Sequence, residues 1–435
     1  MTNRYENYKP SDIDFISDIP SHWKVYKVNE LFSLISSGTT PKSNEDKYYS
    51  KVGFNWIASG DLNNGYVKNT KKKITQFALN DCNLKFYKKN SIIIAMYGAT
   101  IGKMGIVDFD NATTNQACCV LDKAKENYKY LFYMFLNHKN IFILKALNGI
   151  QPNISQDLIK NERFYIPTKK EQEAIANYLD KKTQEIDDSV ETLKKQKDLL
   201  IEERKAIIHK AVTKGLDDTV PMKDSNIEWL GDIPSHWKVK HLKNLINYKT
   251  GNTPDSKKES FYGNENDFKW ANISDLNKKY LYDTKKYLTI YGIKEKNMKV
   301  VKENSLLFSF KLSVGSCSFN KVPLYTNEAI AAFENNKNIN LNWLYYFMSY
   351  FFINNAKENI YGAKILNREL IENGYILKIP TEEQESISNY LDKKTSRIDE
   401  ALNELEKQID LLEEYKKVLI NDVVTGKKRV YDGEI

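Results

Sequence analysis

The segment DIPSHWKV occurs at Asp18–Val25 and again, letter for letter, at Asp232–Val239. Eight identical residues that include both His and Trp do not recur by chance within one chain. Further segments recur after it in the same order: GTTP (Gly38–Pro41) and GNTP (Gly251–Pro254), TNQA (Thr114–Ala117) and TNEA (Thr326–Ala329), NYLDKKT (Asn177–Thr183 and Asn389–Thr395). The order and the nearly constant spacing indicate a tandem duplication whose unit is a whole domain, far longer than a solenoid repeat.

The composition is that of an ordinary globular protein. The chain has 435 residues, 41% of them hydrophobic and 28% charged, and a formal net charge of +8. No apolar run approaches the roughly 18 residues of a membrane span, and the N-terminus lacks the apolar core of a signal peptide, so we expect a cytoplasmic protein. Four cysteines without a CxxC pair predict neither a disulfide framework nor a zinc site. The net charge fits an anionic partner without demanding one.

The first part of each unit mixes strand and helix patterns. SIIIAMYG (Ser91–Gly98) and SLLFSF (Ser305–Phe310) predict short buried strands, because they are apolar runs bounded by turn residues. YKYLFYMFLNH (Tyr128–His138) and LNWLYYFMSYFF (Leu341–Phe352) predict helices. Each unit therefore begins with a mixed α/β domain.

The second part of each unit predicts one long helix without Gly or Pro. Apolar residues recur at every seventh position: Leu179, Ile186, Leu193, Leu200 and Ile207 in the first copy, and Leu391, Ile398, Leu405, Leu412 and Leu419 in the second. A heptad held this long is typical of a coiled coil, although two surface helices packed separately on their own domains are an alternative. Because each helix leads away from its own domain, full-length pairing of the two requires an antiparallel arrangement.

The predicted fold class is α+β: two similar mixed α/β domains joined by an antiparallel two-helix coiled-coil rod, with an internal pseudo-two-fold repeat. The predicted boundaries are 1–167 for the first domain, 168–214 for the first helix, 215–380 for a linker and the second domain, 381–427 for the second helix, and 428–435 for a tail.

The recurring segments resemble those of the specificity subunit of type I restriction-modification enzymes. The resemblance rests on DSNIEWLGDIPSHWKV (Asp224–Val239), the GTTP and GNTP turns, the TNQA and TNEA pair, IPTKKEQEAIANYLD (Ile166–Asp180) and IPTEEQESISNYLD (Ile379–Asp392). It implies that each mixed domain is a target recognition domain that reads one half of a bipartite double-stranded DNA site. It also implies that the helices dock DNA methyltransferase (modification) subunits and, through them, restriction and translocase subunits.

The resemblance further implies that this chain has no catalytic centre and binds no cofactor. S-adenosylmethionine, ATP and Mg are expected in the partner subunits. Independently, the sequence has no NPPY or DPPY segment and no GxGxxG after a strand, and YGATIGKMG (Tyr97–Gly105) departs from the spacing of a phosphate loop. No metal site is predicted, and His22 and His236 are expected to be structural.

Base-reading residues are expected where the two copies diverge, since shared segments cannot read different sequences. Asn, Gln, Arg and Lys make bidentate contacts to base edges, and Lys and Ser suit phosphates. The candidates in the first domain are Lys42, Ser43, Asn44, Lys47, Tyr97, Thr100, Lys103, Gln151, Asn153 and Ser155. Those in the second are Ser256, Lys257, Lys258, Lys311, Ser313, Lys364, Asn367 and Arg368. Asn115 and Asn327, which belong to the shared TNQA and TNEA segments, are expected to position backbone or phosphate.

Apolar residues off the heptad seam predict a docking surface on the helices. They are Tyr178, Leu199, Ile201 and Ile208 in the first copy, and Tyr390, Leu411 and Tyr415 in the second. Contact with the protein's own domains is the alternative.

Two other functions remain open from the sequence. A narrower alternative keeps DNA recognition but makes the chain the specificity partner of a different multi-subunit restriction enzyme. A coiled-coil adaptor that bridges two proteins without binding DNA is the second alternative, whereas the missing motifs disfavour a stand-alone nuclease or methyltransferase.

Overall fold

The computed structural model describes residues 4–13, 16–147, 152–311, 313–358, 364–431 and 433. The chain divides into two compact units, Met1–Leu193 with Lys407–Ile435, and Lys194–Glu406. The division falls inside both long helices, so each unit consists of one mixed domain and a part of each helix. In the described part of the chain, no helix is long and apolar enough to cross a membrane.

The first domain is formed by the elements before the first long helix and by the beginning of that helix. The strands are β1 (Tyr8–Ile13), β2 (Ile16–Pro20), β3 (Lys24–Lys27), β4 (Phe32–Ser37), β5 (Tyr49–Ser50), β6 (Phe54–Ile57), β7 (Gly65–Val67), β8 (Lys72–Ile74), β9 (Ile92–Ala95), β10 (Met104–Val107), β11 (Thr113–Thr114), β12 (Cys118–Ala124) and β13 (Arg163–Ile166). The helices are α1 (Val28–Leu31), α2 (Gln76–Asp81), α3 (Tyr128–Ala146), α4 (Gln156–Asn161) and the long α5 (Lys169–Lys214).

The second domain has a closely similar series. Its strands are β14 (Met222–Asp224), β15 (Asp232–Pro234), β16 (Lys238–His241), β17 (Tyr248–Thr250), β18 (Tyr262–Gly263), β19 (Phe268–Ala271), β20 (Tyr280–Leu281), β21 (Lys286–Leu288), β22 (Leu306–Ser309), β23 (Cys317–Asn320), β24 (Tyr325–Thr326), β25 (Ile330–Phe333), β26 (Lys357–Glu358), β27 (Lys364–Ile365) and β28 (Tyr375–Lys378). Its helices are α6 (Ile290–Glu295), α7 (Leu341–Tyr350), α8 (Arg368–Glu372) and the long α9 (Thr381–Val424).

Both domains have the same sheet topology, which confirms the predicted duplication and the mixed α/β class. A five-stranded sheet has the order β4-β12-β9-β10-β7 in the first domain and β17-β25-β22-β23-β20 in the second. A four-stranded sheet has the order β11-β6-β8-β5 in the first and β18-β21-β19-β24 in the second. The segments SIIIAMYG and SLLFSF form the central strands β9 and β22, buried on both faces as predicted.

The two faces of the five-stranded sheet contribute to different cores, because successive side chains of a strand point to opposite sides. Ile92 and Ile94 pack with helix α3 in the main core of the first domain. Ile93 and Ala95 pack in a smaller cluster on the other face. The sheet is therefore covered on both faces, which explains why its strands read as continuous apolar runs.

The long helices are antiparallel within each unit, as predicted. In the first unit, Lys416 Nζ lies 2.6 Å from the Asp187 carboxylate, and Lys428 Nζ donates to the Tyr178 hydroxyl at 2.8 Å. In the second unit, Lys197 pairs with Glu406 at 2.6 Å. One heptad further along α5, Arg204 pairs with Asp399, one heptad earlier on α9. The pairs therefore run in opposite directions along the two helices.

The heptad seam residues lie in two environments. Leu179, Ile186, Leu391, Ile398 and Leu419 are buried, whereas Leu193, Leu200, Ile207, Leu405 and Leu412 are partly buried. Four of the five buried residues are also covered by a domain, whereas Ile398 belongs to neither domain core. Leu179, Ile186 and Leu419 also belong to the core of the first domain, and Leu391 belongs to that of the second.

The docking-surface prediction is wrong for Ile208, and the alternative, contact with the protein's own domain, holds for this residue. Ile208 is fully buried in the core of the second domain, while its seam neighbour Ile207 packs only against the edge of that core. Near its end, α5 contacts the domain as well as α9. The buried face of the helix is therefore displaced from the helix–helix seam.

The repeated DIPSHWKV segments join each domain to the start of a long helix. In the first unit, the fully buried carboxylate of Glu171 lies 2.9 Å from His22 Nε2 and accepts hydrogen bonds from Trp23 Nε1 and the Tyr5 hydroxyl. In the second unit, His236 and Trp237 bind Glu383 in the same way, at 2.7 and 2.9 Å. The sequence argument expected structural histidines but did not identify their acidic partners.

Other repeated residues complete this joint. Gln172 accepts from the backbone N–H of Asn127, which caps α3, and Gln384 accepts from Asn340, which caps α7. The NYLDKKT segments contribute an Asp and a Thr that bind Tyr133 in the first unit and Tyr346 in the second: Asp180 with Thr183, and Asp392 with Thr395. Each shared segment thus fixes a helix to a domain.

The same joint also holds the end of the other long helix. Gly426 follows α9 with φ +74°, and a Cβ there would meet the ring of Pro20 at 2.5 Å. Gly215 follows α5 with φ +79° and lies against Trp237. Glycine adopts this left-handed conformation without strain and is common just after a helix. Each copy of DIPSHWKV therefore contacts the beginning of one long helix and the end of the other.

Candidate nucleic-acid interface

Most of the divergent loops of the first domain meet at one end of the five-stranded sheet. β4 ends at Ser37, which pairs with Cys119 near the start of β12. Cys118 pairs with Ala95 at the end of β9, and the neighbouring β10 begins opposite Ile94. The loops that leave these strands therefore emerge side by side.

The GTTP and GNTP turns lie directly on the TNQA and TNEA segments. Thr39 N–H donates to the Thr114 carbonyl at 3.0 Å, and Asn252 N–H donates to that of Thr326 at 3.0 Å. A Cβ on Gly38 would lie 1.8 Å from the Thr114 carbonyl oxygen, and Gly251 is equally close to Thr326. Only glycine permits this approach, which explains why the first residue of the turn is the same in both copies.

The two shared asparagines are anchored to the neighbouring sheet through their backbone. Asn115 N–H donates to Ile57 at 3.2 Å, and Asn327 N–H donates to Ala271 at 3.1 Å. The Asn327 side chain accepts from Ala329 N–H, whereas the buried Oδ1 of Asn115 has no partner within the described part of the chain.

The Gly-rich turn of the first domain contacts the segment before α4. Tyr97 forms an isolated β-bridge with Asn153, and Ile154 N–H donates to the Met96 carbonyl at 2.8 Å. Tyr97, Lys103 and Asn153 are exposed, and Thr100 is partly buried. These four candidates form one continuous surface.

The corresponding surface of the second domain is more basic. Lys311 and Ser313 are exposed in the loop after β22. Arg368, also exposed, donates to the Thr250 hydroxyl at 2.5 Å at the end of β17. Its counterpart in the first domain is the neutral Gln156, which donates to Ser37 at 2.5 Å.

Several other candidates lie away from this end of the five-stranded sheet or already form ion pairs within the protein. Lys42 and Lys47 flank Glu45 and pair with it, and Lys47 also lies over the rings of Tyr48 and Phe77. Five further candidates are exposed in the segments that connect the GTTP or GNTP turn to the four-stranded sheet. They are Ser43 and Asn44 in the first domain, and Ser256, Lys257 and Lys258 in the second. Lys364 is exposed in the two-stranded β26-β27 ribbon.

Two predicted base readers hold helix ends. Ser155 Oγ accepts from Leu158 N–H at 3.1 Å, and Asn367 Oδ1 accepts from Leu370 N–H at 2.8 Å. Both are therefore N-caps, the usual role of Ser and Asn before a helix. Gln151 lies outside the described residues.

The described ranges contain no metal-ligand cluster, and three of the four cysteines are buried. No group of three or more His, Cys, Asp or Glu side chains is arranged to hold a metal ion there. Burial raises the pKa of Cys118, Cys119 and Cys317 to about 12, so these thiols stay protonated and unreactive near neutral pH.

A sequence model of the type I restriction modification DNA specificity domain matches residues 20–198 and 234–411. The chain belongs to this family. Among curated proteins of Methanocaldococcus jannaschii, a putative type I restriction enzyme MjaX specificity subunit is 27% identical over 98% of this chain and 97% of its own length. The type I restriction enzyme MjaVIII specificity subunit is 24% identical over 95% and 94%.

Two solved structures share the fold. A chain from a study of the complex assembly and conformational transition of the type I R-M system gives a TM-score of 0.67 at 16% identity, covering 93% of this chain and 98% of that one. The HsdS subunit from Thermoanaerobacter tengcongensis gives 0.53 at 15% identity, covering 94% and 98%. The two mixed domains are thus those of a type I specificity subunit, a DNA-recognising and non-catalytic chain.

Sequence reasoning missed a basic cavity in the target recognition domain of the second unit. Its volume is about 640 Å³, and its lining includes Lys243, Lys299 and Tyr248 beside the predicted Arg368. The sequence difference behind this cavity is visible when the two copies are aligned: Tyr87 of the first domain is replaced by the smaller Val301 at the same position of the second.

Proposed function

We propose that this specificity subunit reads an asymmetric bipartite DNA site, with one half-site for each target recognition domain. The observation that carries the proposal is the placement of divergent loops on a shared framework. In the first domain, the loops that follow strands β4 and β9 emerge at the same end of the five-stranded sheet. In the second domain, the loops that follow β17 and β22 do the same.

The shared framework predicts that both domains approach DNA in the same way. The backbone bonds between the GTTP or GNTP turn and the TNQA or TNEA segment are the same in both. The side chains that this framework presents differ: Tyr97 and Thr100 in the first domain, Lys311 and Ser313 in the second. Phosphate contacts position a protein, and side chains at base edges set its sequence preference. The two half-sites should therefore differ.

We further propose that modification subunits dock on the long helices. Leu199 and Leu411 are each 65% exposed, and Tyr415 is 52% exposed. In the second unit, Leu199 and Leu200 of α5 and Leu405 of α9 line an open, mainly apolar depression of about 460 Å³. Exposed apolar patches of this kind mark partner sites. The methyltransferase would bring S-adenosylmethionine, and a restriction subunit would use ATP and Mg.

Methylome sequencing of cells that carry this chain and its modification partner tests the bipartite reading. We expect one methylated motif with two unlike halves. Lys103→Ala and Asn153→Ala should weaken recognition of the half-site read by the first domain and leave the other half-site unchanged, because both residues lie on the proposed interface of that domain. Lys71→Ala, at an exposed position away from that edge, is the matched control. A symmetric motif, or no methylation with the partner present, would contradict the proposal.

A further inference from the structure

The basic cavity of the second domain exists because one large side chain is missing. In the first domain, Tyr87 fills the corresponding space: it is 1% exposed, and its hydroxyl bonds to Ser36 Oγ at 3.0 Å and the Ser37 carbonyl at 3.3 Å. Tyr87 pairs with Ala112, and Val301 pairs with Leu324, so the two residues occupy the same bridge. Val301 leaves the space open.

The lining of this cavity is cationic. Lys243, Lys249, Lys299 and Arg368 line it together with one carboxylate, Glu372. Lys249 also pairs with Glu334 at 2.6 Å. Lys243 and Arg368 donate to neutral groups, the Asn373 side-chain amide and the Thr250 hydroxyl. The equivalent positions of the first domain carry Ser36 for Lys249 and Gln156 for Arg368, so these two charges are specific to the second domain, whereas Lys85 corresponds to Lys299 in both sign and position.

Two buried hydroxyls of the lining have no hydrogen-bond partner within the described residues. They are the Tyr248 Oη and the Thr326 Oγ1, and Thr326 is 1% exposed. In the first domain, the equivalent Thr114 donates to the Ile57 carbonyl at 2.8 Å. An unpaired buried hydroxyl is destabilising, so such groups normally have a ligand or a water. Here both residues line a cavity whose charge favours an anion.

We propose that this cavity binds a phosphate group. The inference rests on the proposed DNA reading for its natural ligand, a phosphate of the DNA backbone, and a free phosphate-bearing molecule would have the same chemistry. Arg368 and Lys299 supply charge, and the two hydroxyls donate. In DNA recognition this contact would fix the position of the second domain on its half-site without reading a base. The first domain would lack it.

The test uses the full chain and two variants that change the cavity in different ways. Val301→Tyr refills it with the residue that the first domain has there. Arg368→Gln keeps it open but removes a charge, again with the first domain's residue. Val300→Tyr is the matched control, because Val300 is 46% exposed and is not part of the lining. Circular dichroism and the thermal unfolding midpoint establish that each variant is folded.

The first probe is a random-sequence duplex, titrated at several salt concentrations. We expect Val301→Tyr and Arg368→Gln to weaken binding about 5–10-fold at low salt and to reduce the slope of log K against log salt by about one, the loss of one phosphate contact. Val300→Tyr should leave both unchanged. The second probe is inorganic phosphate, which should raise the thermal unfolding midpoint of the wild type but not of Val301→Tyr.

The two probes separate the outcomes. Loss of duplex affinity identifies a backbone phosphate as the ligand. Phosphate binding that depends on the open cavity, with unchanged duplex affinity, identifies a free phosphate-bearing molecule instead. If neither duplex affinity nor phosphate stabilisation responds to the variants, the proposal is wrong. A wild-type chain that binds no duplex even with its modification partner present would contradict the proposed function, while the inorganic phosphate titration would still decide whether the cavity binds phosphate.

Discussion

At the scale of single residues, the recurring letters are explained by the joint between domain and helix. Trp23 and Trp237 each bind a glutamate at the start of a long helix and lie close to the glycine that ends the other one. The duplication was evident from the sequence. Glu171 and Glu383 were not identifiable as the partners, because they lie about 150 positions from the tryptophans and only the fold brings them together.

The glutamate joint predicts unequal effects of one substitution in the two units. Glu171→Ala should lower the free energy of unfolding by about 3–5 kcal/mol, because it leaves His22, Trp23 and Tyr5 without their buried acceptor. Glu383→Ala should cost only about 1 kcal/mol, since that carboxylate is 40% exposed. Denaturant unfolding, together with hydrogen exchange at the first turn of each helix, measures the difference. Equal losses would contradict a burial-dependent joint.

His138 predicts an acid-sensitive contribution to stability. It is fully buried, its Nδ1 donates to the Met134 carbonyl at 2.9 Å, and burial lowers its pKa. As the pH falls below about 6.5, the ordinary histidine value, the unfolded chain binds a proton that the native chain does not. The free energy of unfolding should therefore decrease in this range, until the native pKa is reached.

His138→Phe should remove that part of the pH dependence. The second domain has Phe351 at the equivalent position, so the ring fits such a site. Thermal unfolding at pH 5 and pH 7.5 should differ less in the variant than in the wild type, while His209, whose pKa is also lowered by burial, keeps its contribution. An unchanged difference between the two pH values would show that His138 is not responsible.

At the scale of elements, the heptad pattern predicted the long helices and their antiparallel pairing, but not which seam residues are most buried. The periodicity describes only the contact between helices, whereas the ends of α5 and α9 also pack on the domains. Divergence between the copies selects the loops that we propose to read DNA, and their contact with DNA stays a prediction. Comparison of the copies also shows that Val301 replaces Tyr87, but only the three-dimensional structure shows that this smaller residue leaves a cavity.

Seam position therefore predicts different losses of stability along one helix. Leu179→Ala should cost about 2–5 kcal/mol, because Leu179 is fully buried in the core of the first domain. Leu193→Ala, two heptads later, should cost clearly less, since its side chain is partly exposed. Denaturant unfolding of both variants is the measurement. Comparable losses would mean that the helix seam, and not the domain core, determines the stability of α5.

The exposed stripe of α9 predicts a loss of complex assembly without a loss of folding. Leu411→Glu should reduce co-purification of the modification subunit at least tenfold, because a charge would be buried on docking, while thermal unfolding of the isolated chain stays nearly unchanged. Lys417→Glu, an exposed substitution on another face of α9, is the control. Retained assembly in Leu411→Glu would remove this stripe from the docking surface.

At the scale of the whole molecule, the sequence predicts separate domains and helices, whereas each compact unit of the structure combines one domain with parts of both long helices. Each unit has its own hydrophobic cores, and each takes its helical part from both long helices. A heptad cannot reveal this, because it continues without interruption through residues that belong to different units. The recognition surfaces lie on the domains, so their specificity should be separable.

Exchange of one domain should accordingly change one half-site only. Replacing 222–380 with the matching segment of another family member should alter the half-site read by the second domain and leave the other intact. The donor must carry Trp at 237 and Tyr at 346, because Trp237 binds Glu383 and Tyr346 binds Asp392 on the retained helix. A donor without them should give an unstable chimera, which separates a failed joint from failed recognition. Methylome sequencing of cells with the intact chimera is the measurement, and a change in both half-sites would refute independent reading.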